Sequence, residues 1–94
     1  MLTVNGCVDS TVEIANESPF ICIFRMRAQR DDVIGALIGD LARSFYKTLR
    51  MGDVVKASGR FVDGMHLGYA KVFAISKIDM PRDASTGRNI NVWG

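Results

Sequence analysis

Ninety-four residues hold one domain and leave no room for a second of ordinary size, so a two-domain enzyme is excluded. Apolar residues make up 48% and charged residues 23%, which excludes intrinsic disorder and leaves enough apolar surface for part of it to serve an interface. The formal net charge is only +2, far from a polybasic balance, so an anionic polymer would have to be met by a local patch.

Leu2, Val4 and Val8 around Gly6 predict a first strand ending near Val8, with a bulge expected at the glycine. Asp9 to Pro19 mixes Ser, Thr, Asn and Glu with Val12 and Ile14, and is expected to be a connection with room for short extended pairing. Phe20 to Ala28 alternates and predicts the second strand. Cys22, Phe24 and Met26 form its core face, with Ile21, Ile23, Arg25 and Arg27 on the other. Gln29 to Asp32 is short and polar, as a tight hairpin requires, and Val33 to Ile38 is an almost unbroken apolar run of the kind found in buried strands.

Asp40 is positioned to cap a helix in which Leu41, Ala42, Phe45, Tyr46 and Leu49 share one face. Arg43, Lys47 and Arg50 lie on the wet side, and Gly52 is expected to end the helix. In the fourth strand, Val55, Ala57, Gly59 and Phe61 alternate with Val54, Lys56, Ser58 and Arg60. Asp63-Gly64 starts a hairpin turn that leads to a fifth strand, Tyr69 to Asp79. Strict alternation there turns Val72, Ala74 and Ile78 inward and Lys71, Phe73, Ile75 and Lys77 outward. Pro81 ends it, which divides the chain into a domain over 1–80 and a C-terminal tail over 81–94.

Three strands, one helix and two further strands predict an all-β fold: a five-stranded barrel with one helix between strands three and four. Closure of such a sheet removes the edges an open one would leave. That order is the oligonucleotide/oligosaccharide-binding fold, the OB-fold.

Several chemistries lack their residues. His66 is the single histidine, so none of the serines has a second base to draw on, and Cys7 and Cys22 show none of the close spacing of a metal site. No glycine-rich phosphate loop follows a strand. The expectation is no catalysis, no metal and no cofactor. No secretory pattern opens the sequence and no apolar run has the length of a membrane span, so the expected setting is cytoplasmic, away from membranes.

Charge is unevenly spread. Residues 1–24 carry Asp9, Glu13 and Glu17 with no Lys or Arg, whereas Leu41 to Arg82 holds eight basic residues against Asp53, Asp63 and Asp79, a net of +5. Arg25 and Arg27, Lys56 and Arg60, and Lys71 and Lys77 all fall on expected outward faces, where neighbouring strands can gather them into a phosphate-binding surface. Tyr69 and Phe73 are the stacking candidates among them, since an aromatic ring covers any base without demanding sequence, and Trp93 joins them should the tail fold back. The plainer alternative is that the cations only keep the sheet soluble, while Ile21, Ile23, Phe73 and Ile75 form a contact with a protein partner or a second copy.

Three stretches carry a family resemblance. Leu2-Thr3-Val4-Asn5-Gly6-Cys7-Val8 is similar to the first strand of the bacterial single-stranded DNA-binding protein family. Leu37-Ile38-Gly39-Asp40-Leu41-Ala42, continuing through Tyr46, Leu49, Arg50, Met51, Gly52 and Asp53 into Val55 and Gly59, resembles that family's third strand, helix and fourth strand. Cys22-Ile23-Phe24-Arg25-Met26 is similar to the second strand of its primosomal replication protein B branch.

The resemblance implies a non-catalytic protein that binds single-stranded DNA, with RNA as the alternative ligand, in replication, repair or recombination and in a primosome-like setting. It implies a homodimer or homotetramer built through the first strand's edge, with replication or recombination proteins as further partners. The sequence departs from the family pattern at Asp32 and Ile38, where the family carries stacking aromatics, each worth about 1–3 kcal/mol per base. It also ends in Asn91-Val92-Trp93-Gly94 in place of an acidic, Phe-ended tail, and its two hairpins are short.

Overall fold

The computed structural model describes residues 1–80. The chain forms β1 (Leu2–Val8), β2 (Glu13–Glu17), β3 (Phe20–Ala28), β4 (Asp32–Ile38), α1 (Asp40–Phe45), β5 (Val54–Asp63), a short 3-10 turn (Met65–Leu67) and β6 (Lys71–Asp79). The tail over 81–94, with Trp93, lies outside the described residues.

Closure of the sheet rests on β1, which has a partner on each side. It pairs antiparallel with β5 from Leu2↔Gly59 to Cys7↔Val54, and with β3 from Gly6↔Ala28 to Val8↔Met26. The circuit continues from β5 to β6, from β6 to β4 in parallel, and from β4 back to β3. β2 pairs with the first half of β3 and so extends the line of β1 past the break at 9–12. The connection expected there therefore contains a strand, and β1 and β2 together occupy one position in a five-stranded barrel. This is the OB-fold.

Gly6 is not a bulge: β1 stays in register with β5 through it. A Cβ at that position would lie 2.9 Å from the carbonyl oxygen of Arg27, so the glycine lets β1 approach β3 closely where the barrel shuts. The true irregularities lie between Ile14 and Asn16, against β3, and between Ser58 and Gly59, against β6.

The second of these alters the fold most. Ser58 pairs with Lys77 but Gly59 pairs with Ile75, which leaves Ser76 as an extra residue and shifts the phase of β6 by one. A side chain at Gly59 would collide with the carbonyl oxygen of Ala74, so the close approach needs glycine. Because of the shift, Phe73 and Ile75 point into the barrel together with Ile78, and the expectation that they face outward is overturned. Val72 is buried as expected, but beneath the hairpin turn at Gly64 and apart from the main core.

Cys22, Phe24 and Met26 from β3, Leu37 from β4, Val55 and Ala57 from β5 and Val8 from β1 complete the core, as their alternation predicts. One end of the barrel is covered by α1 and the turns after it, which contribute Ala42 and Leu49. The helix is shorter than expected. Gly39, with φ +67, precedes it and Asp40 is its first residue, pairing with Arg43 at 3.5 Å rather than capping the backbone. After Phe45 the chain tightens, with Thr48 N–H donating to the Phe45 carbonyl, and Gly52 (φ +96) turns it toward β5.

Candidate nucleic-acid interface

Alternation on β3 sends Arg25 and Arg27 outward while Phe24 and Met26 go inward. Both arginines meet the same carboxylate. Arg27 donates to Asp9 Oδ1 at 3.0 Å, and Arg25 lies 3.2 Å from Oδ2. The hydrogen bond from Arg27 to Asp9, reinforced by the carboxylate's charge, raises the guanidinium pKa above its ordinary value. Asp9, in the break between β1 and β2, thus joins the two candidate arginines, where sequence reasoning counted it only as part of an acidic segment.

On β5, Lys56 and Arg60 point outward, opposite Val55, Ala57 and Gly59. Lys77 joins them from β6: its strand partner is Ser58, so the three cations share one face. Lys56 is the strand partner of Asp79, yet among the described residues none of the three cations is ion-paired. The β3 pair connects to this group through β1. Arg27 is opposite Cys7, Cys7 is opposite Val54, and Lys56 follows two residues along the same face. At about 4.8 Å between strands and 3.3 Å per residue, the Arg27 and Lys56 backbones are about 12 Å apart.

Tyr69, just before β6 and 37% exposed, lines a cleft of about 290 Å³ with Arg25, Ile23, Ile34, Thr11 and Glu13. An aromatic edge beside a guanidinium is suited to a base and its phosphate. Lys71 belongs elsewhere. Its ammonium sits 5.6 Å over the ring of Phe61, on the continuation of the core face beyond the barrel's end.

Phe73, expected as a stacking residue, is completely buried and cannot meet a base. The exposed aromatic of that pair is Phe61, 41% exposed, with its ring 5.0 Å from that of Phe73. Sequence reasoning put Phe61 on the correct face of β5 but missed that the face outruns the barrel. The signal was available in its position three residues before the hairpin glycine Gly64, near the far end of a ten-residue strand.

A second outward surface is apolar. The strand pairs Ile21↔Ile38, Ile23↔Ala36 and Arg25↔Ile34 line up five aliphatic side chains on β3 and β4, of which Ile38 is exposed and Ile23 and Ile34 half-buried, whereas Ala36 is buried and so is Ile21, against the expectation that it is exposed. Residues Leu2–Asn5 of β1 pair with β5 alone, so the other edge of that half-strand has no strand partner among the described residues.

Cys7 and Cys22 are free thiols, and burial pushes the Cys22 thiol above its ordinary pKa. Among the described residues no group of three or more His, Cys, Asp or Glu is placed to hold a metal ion, and no helix is long and apolar enough to cross a membrane.

No family model matches the sequence, and no curated protein does. Solved structures do match. One is the second single-stranded DNA-binding protein (SSBb) of Mycobacterium smegmatis, which superposes with a TM-score of 0.74 over 96% of each chain at 17% identity. The likeness is one of fold. It agrees with the barrel order described above and with the resemblance carried by the first, third and fourth strands of the sequence.

Proposed function

We propose that this chain binds single-stranded DNA without catalysis, through the outward cations of β3, β5 and β6. The observation that carries this is the trio Lys56, Arg60 and Lys77 on one barrel face, without ion-pair partners among the described residues and continued through β1 to Arg25 and Arg27. Such a face takes up phosphates and releases counterions. Tyr69 in its cleft, and Phe61 with Lys71 at the barrel's end, provide rings for unstacked bases. The SSBb fold likeness supports the same function.

Leu2–Asn5 offers an edge on which a second copy can add its own first strand, so a homodimer or homotetramer is the proposed assembly. Replication or recombination proteins are its proposed partners. RNA is the alternative ligand.

A second reading draws on the apolar patch of Ile23, Ile34 and Ile38: a protein-interaction module with little nucleic-acid affinity. Phe73 and Ile75 play no part in that patch, being turned inward, nor does Ile21, which is buried. Fluorescence titration of labelled oligonucleotides at two salt concentrations separates the two readings, since phosphate contacts impose a strong salt dependence. Absence of binding at low salt refutes the first.

A further inference from the structure

The carboxylate of Asp9 lies between the two arginines of β3. Arg27 Nη2 donates to Oδ1 at 3.0 Å, Arg25 Nη2 lies 3.2 Å from Oδ2, and the same Nη2 donates to the Asp9 main-chain oxygen at 3.2 Å. The backbone holds the residue in place. Asp9 N–H donates to the Arg25 carbonyl at 2.8 Å, and Ser10 Oγ accepts from Arg25 N–H at 2.8 Å.

Two guanidinium groups converging on one oxyanion form an anion seat, and a phosphate makes the same demand on their N–H groups as a carboxylate does. The side chains of Arg25 and Arg27 are 49% and 67% exposed, and that of Asp9 is 24% exposed. Ion pairs so open to water contribute little to stability, so exchanging one oxyanion for another costs little.

We propose that Asp9 is a built-in competitor for phosphate, occupying the Arg25–Arg27 seat in the free protein and yielding it to a phosphate of the bound strand. This rests on the nucleic-acid reading above. Asp9 then sets how tightly the protein binds: strongly enough to hold a strand when the remaining cations engage, and weakly enough to release it.

The test is a titration of a labelled oligothymidylate by the full chain and by Asp9→Asn, which keeps the hydrogen-bond acceptor and removes the charge. The variant is expected to bind about threefold to tenfold more tightly at low salt, with a salt slope steeper by about 0.7, the value of one more net charge on a single strand. With Arg25 and Arg27 both replaced by Ala, the gain from Asp9→Asn should fall below about twofold. An equal gain in both backgrounds would show only long-range charge and would overturn the seat, as would equal or weaker binding by Asp9→Asn. If Asp9→Asn alters the melting curve, Asp9→Ser must move affinity in the same direction, and failure to do so overturns the proposal. No binding by wild type or variant at low salt refutes the nucleic-acid reading itself, a result distinct from equal binding by the two.

Discussion

Replacing Phe73 by Ala asks where that ring lies. It is fully buried in the barrel, on the strand position opposite Gly35, with its centroid 5.0 Å from the ring of Phe61. Truncating a buried Phe removes its transfer free energy and leaves a cavity, a loss of about 3–5 kcal/mol. A small domain has about 5–15 kcal/mol in total, and near this size each kcal/mol shifts the melting temperature by about 4–8 °C. Phe73→Ala should therefore melt about 12–40 °C below wild type, or fail to fold. Phe61→Ala removes a ring that is 41% exposed, and should cost about 1 kcal/mol of stability. If bases stack on Phe61, the same change weakens oligonucleotide binding by about 1–3 kcal/mol. Circular dichroism melts of both variants, followed by oligonucleotide titration of whichever is folded, read the contrast. A Phe73→Ala protein that melts within about 3 °C of wild type and loses binding would refute the assignment of Phe73 to the core.

Two further outcomes follow from the outer face and from the bulge. Replacing Lys56, Arg60 and Lys77 together with Ala should flatten the salt slope by about 2.1, three charges at about 0.7 each, while leaving the melting curve nearly unchanged; an unchanged slope, measured by titration across salt, places the ligand elsewhere. Gly59→Ala forces a methyl against the carbonyl of Ala74 and should cost about 1–3 kcal/mol, seen as a lower melting temperature, and wild-type stability would mean that β5 and β6 do not approach so closely there.

The parts of the fold that obey a simple period were legible from the sequence. Cys22, Phe24 and Met26 keep strict alternation and all three are buried, and Ala42 and Leu49 cover the barrel's end as expected, although Leu49 does so from the turns beyond the helix. β6 was not legible, because the extra residue at Ser76 breaks its phase. Counting back from Ile78 in steps of two selects Val72 and Ala74, while the larger Phe73 and Ile75 obey a second phase that only a bulge reconciles. Gly59 was the local clue, a glycine inside a strand, and Gly6 gave the same clue with a different cause. In the site, the outward positions of Lys56, Arg60, Arg25 and Arg27 followed from alternation. The meeting of both arginines with Asp9 did not, because it depends on how the chain crosses between β1 and β2.

The central claim is that the outward cations hold a single strand. The most direct test is the affinity of the intact chain for an oligothymidylate of about thirty nucleotides at about 50 and 200 mM salt. With the trio counted fully and Arg25 and Arg27 offset by Asp9 to one net charge, the slope is about −2.8, and affinity should fall about fiftyfold across that range. No binding at the lower concentration, or binding that does not change with salt, would contradict the account.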